Sequence, residues 1–200
     1  MKPEALALGV AGLFGGLLIG WIIGAQYTGR PPMAPSPTTA PASTSAGTMA
    51  APEPGPVDEA RAASLRAEAE ARPEDAAVRA ELGNVYFDAA RYSEAITWYE
   101  AALAVDPRDA DVSTDLGVSY YYTDQADRAL QQFAYSLDVD PDHTKTLLNL
   151  GIVRAFAKRD LPGAVEVWER VIALAPDSPE GRAARQALDA VQSVHAGTGS

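Results

Sequence analysis

Apolar positions along this 200-residue chain fall into three regimes, each with its own spacing. Residues 5–25 form an unbroken apolar run of 21 residues, and no charge occurs from residue 5 through residue 29. Residues 31–57 read PPMAPSPTTAPASTSAGTMAAPEPGPV, with almost no large apolar side chain to bury. From Asp58 onward apolar and polar positions alternate with helical spacing. Ala95, Tyr99 and Ala102 stand four and three residues apart; Ala129, Phe133 and Ser136 repeat that spacing, as do Ala164, Trp168 and Val171. Residues so spaced share one face of a helix. The pattern therefore predicts an all-α protein: an N-terminal transmembrane helix, a disordered linker and a packed helical domain.

The helical regime is periodic on a longer scale too. Leu-Gly recurs at 82/83, 116/117 and 150/151, and prolines close the units at 107, 141 and 176. The first two units are 34 residues long, and the third gains one residue near Leu161–Gly163. Tyr86 and Tyr120 match, Arg154 departs, and Ala95, Ala129 and Ala164 supply a small residue ahead of each aromatic. This spacing resembles the tetratricopeptide repeat, a helix–turn–helix unit that stacks into a solenoid. On that reading the repeats span 76–109, 110–143 and 144–178. Gly83 and Ala95 remove bulk where paired helices cross, and Tyr99 fills the space between successive pairs. Pro107 stops the second helix. A lead-in helix over 58–72 and a capping helix over 179–194 cover the ends, with Ser178 as cap and Pro179 in the first turn. The domains are then 1–30 (anchor), 31–57 (linker) and 58–195 (repeats).

The apolar run is roughly 31 Å long as a helix, close to the ~30 Å hydrocarbon core of a bilayer. A cleaved signal peptide is the alternative, although its apolar core is usually shorter. Gly12, Gly16, Gly20 and Gly24 lie four apart and line one side of that helix. In lipid such a stripe lets a second helix approach closely, so it is the expected packing face for another copy or another protein. Lys2 ahead of the run points to a cytoplasmic amino terminus. That orientation places a single-pass protein in a bacterial inner membrane with its repeats in the periplasm or otherwise outside the cytoplasm. The linker should be an extended, polyproline-like tether.

Charge and composition narrow the chemistry. The net charge is −11, all of it carried by residues 58–195, so a phosphate backbone is not an expected partner. There is no cysteine, which removes disulfides, thiolate metal sites and cysteine nucleophiles. The two histidines, His143 and His195, have no histidine partner at metal-binding spacing. No glycine-rich phosphate loop is evident. The expectation is a non-enzyme with no cofactor, no metal and no catalytic residue.

Function is then expected on the surface that stacking creates, and the resemblance implies the concave side, lined by the first helix of each repeat. The family's groove positions fall on Asn84, Phe87 and Asp88; on Asp111, Thr114, Asp115, Val118, Tyr121 and Tyr122; and on Lys145, Leu148, Asn149, Ile152 and Phe156. Chaperone-binding members of the family grip a terminal carboxylate with a Lys and Asn clamp. Asn84, Lys145 and Asn149 echo that clamp, whereas Ala80 and Asp115 replace two of its members. The implied partner is a protein or peptide with apolar anchors and basic character. The most specific form of this reading is the repeat component of cytochrome c maturation, which presents apocytochrome for haem attachment. A structural, self-assembling membrane protein is the other class left open.

Overall fold

The computed structural model describes residues 51–197. Residues 1–50, including the apolar run and its four glycines, lie outside the described residues. No helix among the described residues is long and apolar enough to cross a membrane.

Eight helices follow in order: α1 (Glu59–Ala71), α2 (Ala76–Asp88), α3 (Tyr92–Leu103), α4 (Ala110–Tyr122), α5 (Ala126–Val139), α6 (Thr144–Phe156), α7 (Leu161–Leu174) and α8 (Pro179–Gly197). No strand occurs among the described residues. Five of the helices start on a short polar side chain. The carboxylates of Asp58, Asp75, Asp109 and Asp160 accept from the backbone N–H of Arg61, Val78, Val112 and Gly163, each three residues on. Ser178 does the same for Gly181 at 3.0 Å. Each such bond satisfies a backbone donor that the first helical turn leaves open.

The turn from the first to the second helix of each repeat has a feature of its own. Ala90, Asp124 and Arg159 sit there with φ of 54°, 61° and 56°, the left-handed region. None of the three is glycine, so each turn holds a conformation disfavoured by about 1–2 kcal/mol for a residue with a Cβ.

Two layers result. The first helices α2, α4 and α6 form one, and the second helices α3, α5 and α7 form the other. Each helix packs on its sequence neighbours, and α4 also meets α6. At the two ends, α1 packs on α2, while α8 lies against α7 and α6 as the first helix of a further repeat would.

The signature residues meet inside each pair. A Cβ at Gly83 would stand 2.5 Å from the Tyr99 ring, one at Gly117 2.5 Å from Phe133, and one at Gly151 2.2 Å from Trp168. The glycine exists so that the ring can lie directly on the helix backbone. Ala95, Ala129 and Ala164, one turn before each ring, are wholly buried. Tyr99 thus fills its own pair rather than the gap between pairs, which corrects the expectation drawn from spacing. The ring termini stay satisfied: the Tyr99 hydroxyl donates to Asn84 Oδ1 (2.7 Å) and the Trp168 indole to the Leu148 carbonyl (3.2 Å).

Candidate functional site

Helix α4 supplies the middle of the concave face, and its sequence ADVSTDLGVSYYY explains why it can. Leu116, Gly117 and Tyr120 face the layer beneath, and Thr114, expected in the groove, is instead wholly buried against Ser136 of α5 and Thr146 of α6, leaving Asp111, Asp115, Val118, Tyr121 and Tyr122 toward the other side. Flanking contributions come from α2 (Asn84, Phe87, Asp88) and α6 (Lys145, Leu148, Asn149, Ile152, Phe156).

The structure separates these fourteen residues by accessibility. Asp88 and Asp111 are exposed; Asn84, Tyr122, Lys145 and Phe156 are half-buried; Phe87, Thr114, Asp115, Val118, Tyr121, Leu148, Asn149 and Ile152 are buried. Phe87 and Tyr121 belong to an aromatic cluster. Phe87 meets the Tyr92 ring edge-on at 5.3 Å, and Tyr122 stacks on Tyr92 at 4.6 Å with Tyr121 at 5.5 Å. Burial raises the phenol pKa of Tyr92 and Tyr121 to about 12. The Tyr121 hydroxyl is buried and has no hydrogen-bond partner among the described residues.

The polar members are tied to one another. Lys145 Nζ lies 2.8 Å from Asp115 Oδ1 and 3.7 Å from Asp111 Oδ1. Asn149 donates its side-chain N–H to the Lys145 carbonyl at 2.8 Å, and Asn84 accepts from Tyr99. All three residues that echo the carboxylate clamp are therefore engaged within the protein. Asp88 is pushed above the ordinary carboxylate range chiefly by burial, with Arg61 opposing and Asp115 adding to the rise. Asp111 is held below that range, first by its hydrogen bond with His143 and also by Lys145, against a smaller effect of burial.

His143 was not placed in the groove from sequence, and the structure gives it a role there. Its Nε2 is 3.4 Å from Asp111 Oδ1, and its Nδ1 is 2.6 Å from Thr146 Oγ1. Thr146 in turn meets Thr114 (2.5 Å) and Ser136 (2.8 Å), and all three hydroxyl residues are wholly buried. Thr114 and Ser136 both donate to the Ala110 carbonyl, at 2.7 and 3.0 Å. Thr146 Oγ1 is thus shared between this pair and His143 Nδ1. A buried hydroxyl knot thereby joins α4, α5 and α6 and ends at an exposed carboxylate on the concave rim. Sequence could not show it, because Thr114, Ser136 and Thr146 are far apart and fit no motif.

Among the described residues no group of three or more His, Asp and Glu side chains is placed to hold a metal ion. The exposed carboxylates of Asp88 and Asp111 stand above aromatic and aliphatic side chains that are mostly buried, with Tyr122 and Phe156 half-buried.

Comparison with known proteins agrees with the geometry. Residues 83–124 match the family model described as TPR repeat, and residues 114–179 match one described as tetratricopeptide repeat. No curated protein matches the chain. Among solved structures it is similar to residues 41 to the end of MamA from Desulfovibrio magneticus RS-1, at 25% identity and a TM-score of 0.53, covering 58% of this chain and 67% of that one. A MamA double mutant aligns over 66% of its own length, so the chain spans just under two thirds of it. The first TPR domain of human RPAP3 aligns at 27% identity and a TM-score of 0.54, over 62% of this chain and 97% of that one. The first TPR of Spaghetti (RPAP3), bound to the HSP90 peptide SRMEEVD, aligns at 29% identity and a TM-score of 0.50, over 57% and 93%. Three helix pairs in phase, each closed by a glycine under an aromatic ring, and the two family models identify residues 83–179 as tetratricopeptide repeats.

Proposed function

We propose that this protein is a membrane-anchored scaffold that holds a segment of another protein on the concave face of its repeats. The fold relatives support the general form of this reading, since a Spaghetti (RPAP3) repeat domain binds a peptide. The details of the face argue for a different kind of segment. The HSP90 peptide ends in Glu-Glu-Val-Asp. Here Asp115 stands at a clamp position and forms an ion pair with Lys145, and Asp88 and Asp111 are exposed beside it. That arrangement carries the proposal: the rim repels a carboxylate terminus and favours a Lys or Arg. A segment with at least one basic residue fits the rim, and Tyr122 and Phe156 are the half-buried apolar side chains left for its apolar anchors. The charges set partner choice and encounter rate, and the apolar contacts set most of the affinity.

In this reading residues 5–25 anchor the chain, the Pro-rich stretch spaces the repeats from the bilayer, and the repeats face the periplasm. Nothing on the concave face selects an apocytochrome over any other basic segment. The test is site-specific photo-crosslinking in intact cells. A photoreactive phenylalanine analogue at Asp111 should capture a discrete partner, and the same group at Glu166 on α7, in the other layer, should not. Equal capture at both positions, or capture at Glu166 alone, would place the working surface elsewhere.

A further inference from the structure

Residues 51–57, APEPGPV, are not a loose end of the tether. The Gly55 N–H donates to the Ala89 carbonyl at 2.9 Å, and Val57 packs against the core. With proline at 52, 54 and 56, the run has few conformations to lose on docking. It passes in front of the turn between α2 and α3, and between the run and the turn lies an open cavity of about 360 Å³. Pro52, Glu53 and Pro54 form one wall; Arg91, Tyr92 and Glu94 form another, and Tyr122 closes it from the second repeat.

Tyr122 also belongs to the concave face, so the cavity continues that face at one end. The stacked rings of Tyr92 and Tyr122, 19° from parallel, supply an aromatic wall. Arg91 is paired with Glu94 across one turn of α3. Glu53 makes no ion pair among the described residues. The opening is therefore apolar on its sides and acidic at its rim, in a domain that is acidic as a whole.

We infer that residues 51–57 are a wall of the client site, and that this cavity takes the Arg or Lys side chain of the client. The inference rests on the concave-face reading and extends it: the tether is part of the recognition surface. A cationic side chain lays its aliphatic stem along Pro52 and Pro54, presents its charge to the tyrosine rings, and meets Glu53 at the rim. An acidic side chain meets the same carboxylate as a repulsion, so the cavity also excludes.

The test uses the full chain in detergent micelles and a fluorescein-labelled peptide, Leu-Arg-Leu-Ala-Arg-Leu, read by fluorescence anisotropy. The same peptide with norleucine for each Arg is the control. Glu53→Gln, which is exposed and carries no packing role, should weaken the Arg peptide roughly three- to tenfold and leave the norleucine peptide unchanged. Pro52→Ala with Pro54→Ala should act in the same direction by loosening the wall. If these variants stay within about twofold of wild type while Asp111→Asn still weakens binding, the concave face stands and the role of residues 51–57 is refuted. If wild type binds neither peptide, both readings fall.

Discussion

Gly117→Ala sets two physical effects of known size against each other. On a solvent-facing helix the exchange stabilises by about 1 kcal/mol, because glycine costs that much relative to alanine in a helix interior. At Gly117 the new methyl would stand 2.5, 2.7 and 3.2 Å from three carbons of the Phe133 ring. Carbon atoms rest about 3.5–4.0 Å apart, so the ring has to retreat by roughly 1 Å. Phe133 is wholly buried, and the helix it stands on, α5, is itself packed on α4 and α6. Overpacking of this kind typically costs about 1–3 kcal/mol, and a displaced ring leaves its former contacts as well. The collision wins: the expected net loss is about 1–2 kcal/mol, which for a domain of this size lowers the melting temperature by roughly 3–8 °C. Urea denaturation followed by circular dichroism measures it. Phe133→Leu, itself destabilising, should make Gly117→Ala nearly neutral, so the pair forms a double-mutant cycle with a coupling of about 1 kcal/mol or more. A Gly117→Ala variant more stable than wild type, or additive losses in the cycle, would refute the close ring-on-backbone contact.

Other outcomes follow from single features. Ala90→Gly should raise stability by about 0.5–1 kcal/mol in the same urea assay, because the left-handed strain is relieved while the unfolded chain gains freedom. Thr146→Val should cost about 1–3 kcal/mol, since the shape is kept while His143 Nδ1 and the Thr114–Ser136 pair lose a partner in a buried site. Asp111 has a depressed folded-state pKa, so it contributes stability above its ordinary value of 3.8 that is lost as pH falls further through the folded value. The urea midpoint should fall over that acid range, and Asp111→Asn should flatten the fall. Asp88 is shifted the opposite way by burial, so Asp88→Asn should raise the midpoint at pH 7. In a membrane two-hybrid reporter, Gly16→Leu with Gly20→Leu should weaken association of residues 1–30, and Leu13→Ala with Leu17→Ala should matter less.

The repeat architecture was readable because it rests on local, recurring chemistry. A glycine, an alanine and an aromatic at fixed spacing recur three times, and an Asp cap or a proline marks the edges. What spacing did not reveal is which surface a side chain meets. Tyr99 lies on Gly83 of its own pair, and only the crossing of α2 and α3 makes that visible. The left-handed turn residues went unnoticed for a plainer reason: Ala90, Asp124 and Arg159 are not the glycines that mark such turns. Within the candidate site, the positions could be carried over from the family pattern, but their pairing could not. Lys145 reads as the lone cation of the groove until the geometry sets it beside Asp115. His143 reads as a turn residue until it is found at the end of the hydroxyl knot. Composition misled at one place: residues 51–57 share the Pro and Ala usage of the tether, yet Gly55 and Val57 hold them to the first repeat.

The central claim is that the concave rim chooses its client by charge. The most direct measurement is the affinity of the full chain for Leu-Arg-Leu-Ala-Arg-Leu against its counterpart with Glu in place of Arg, at low and high salt. The Arg form should bind at least about tenfold more tightly at low salt, and the ratio should shrink as salt screens the rim. Asp88→Asn with Asp111→Asn should shrink it in the same way without added salt. An equal affinity for both peptides, a preference for the Glu form, or a ratio indifferent to salt and to both substitutions would contradict the account.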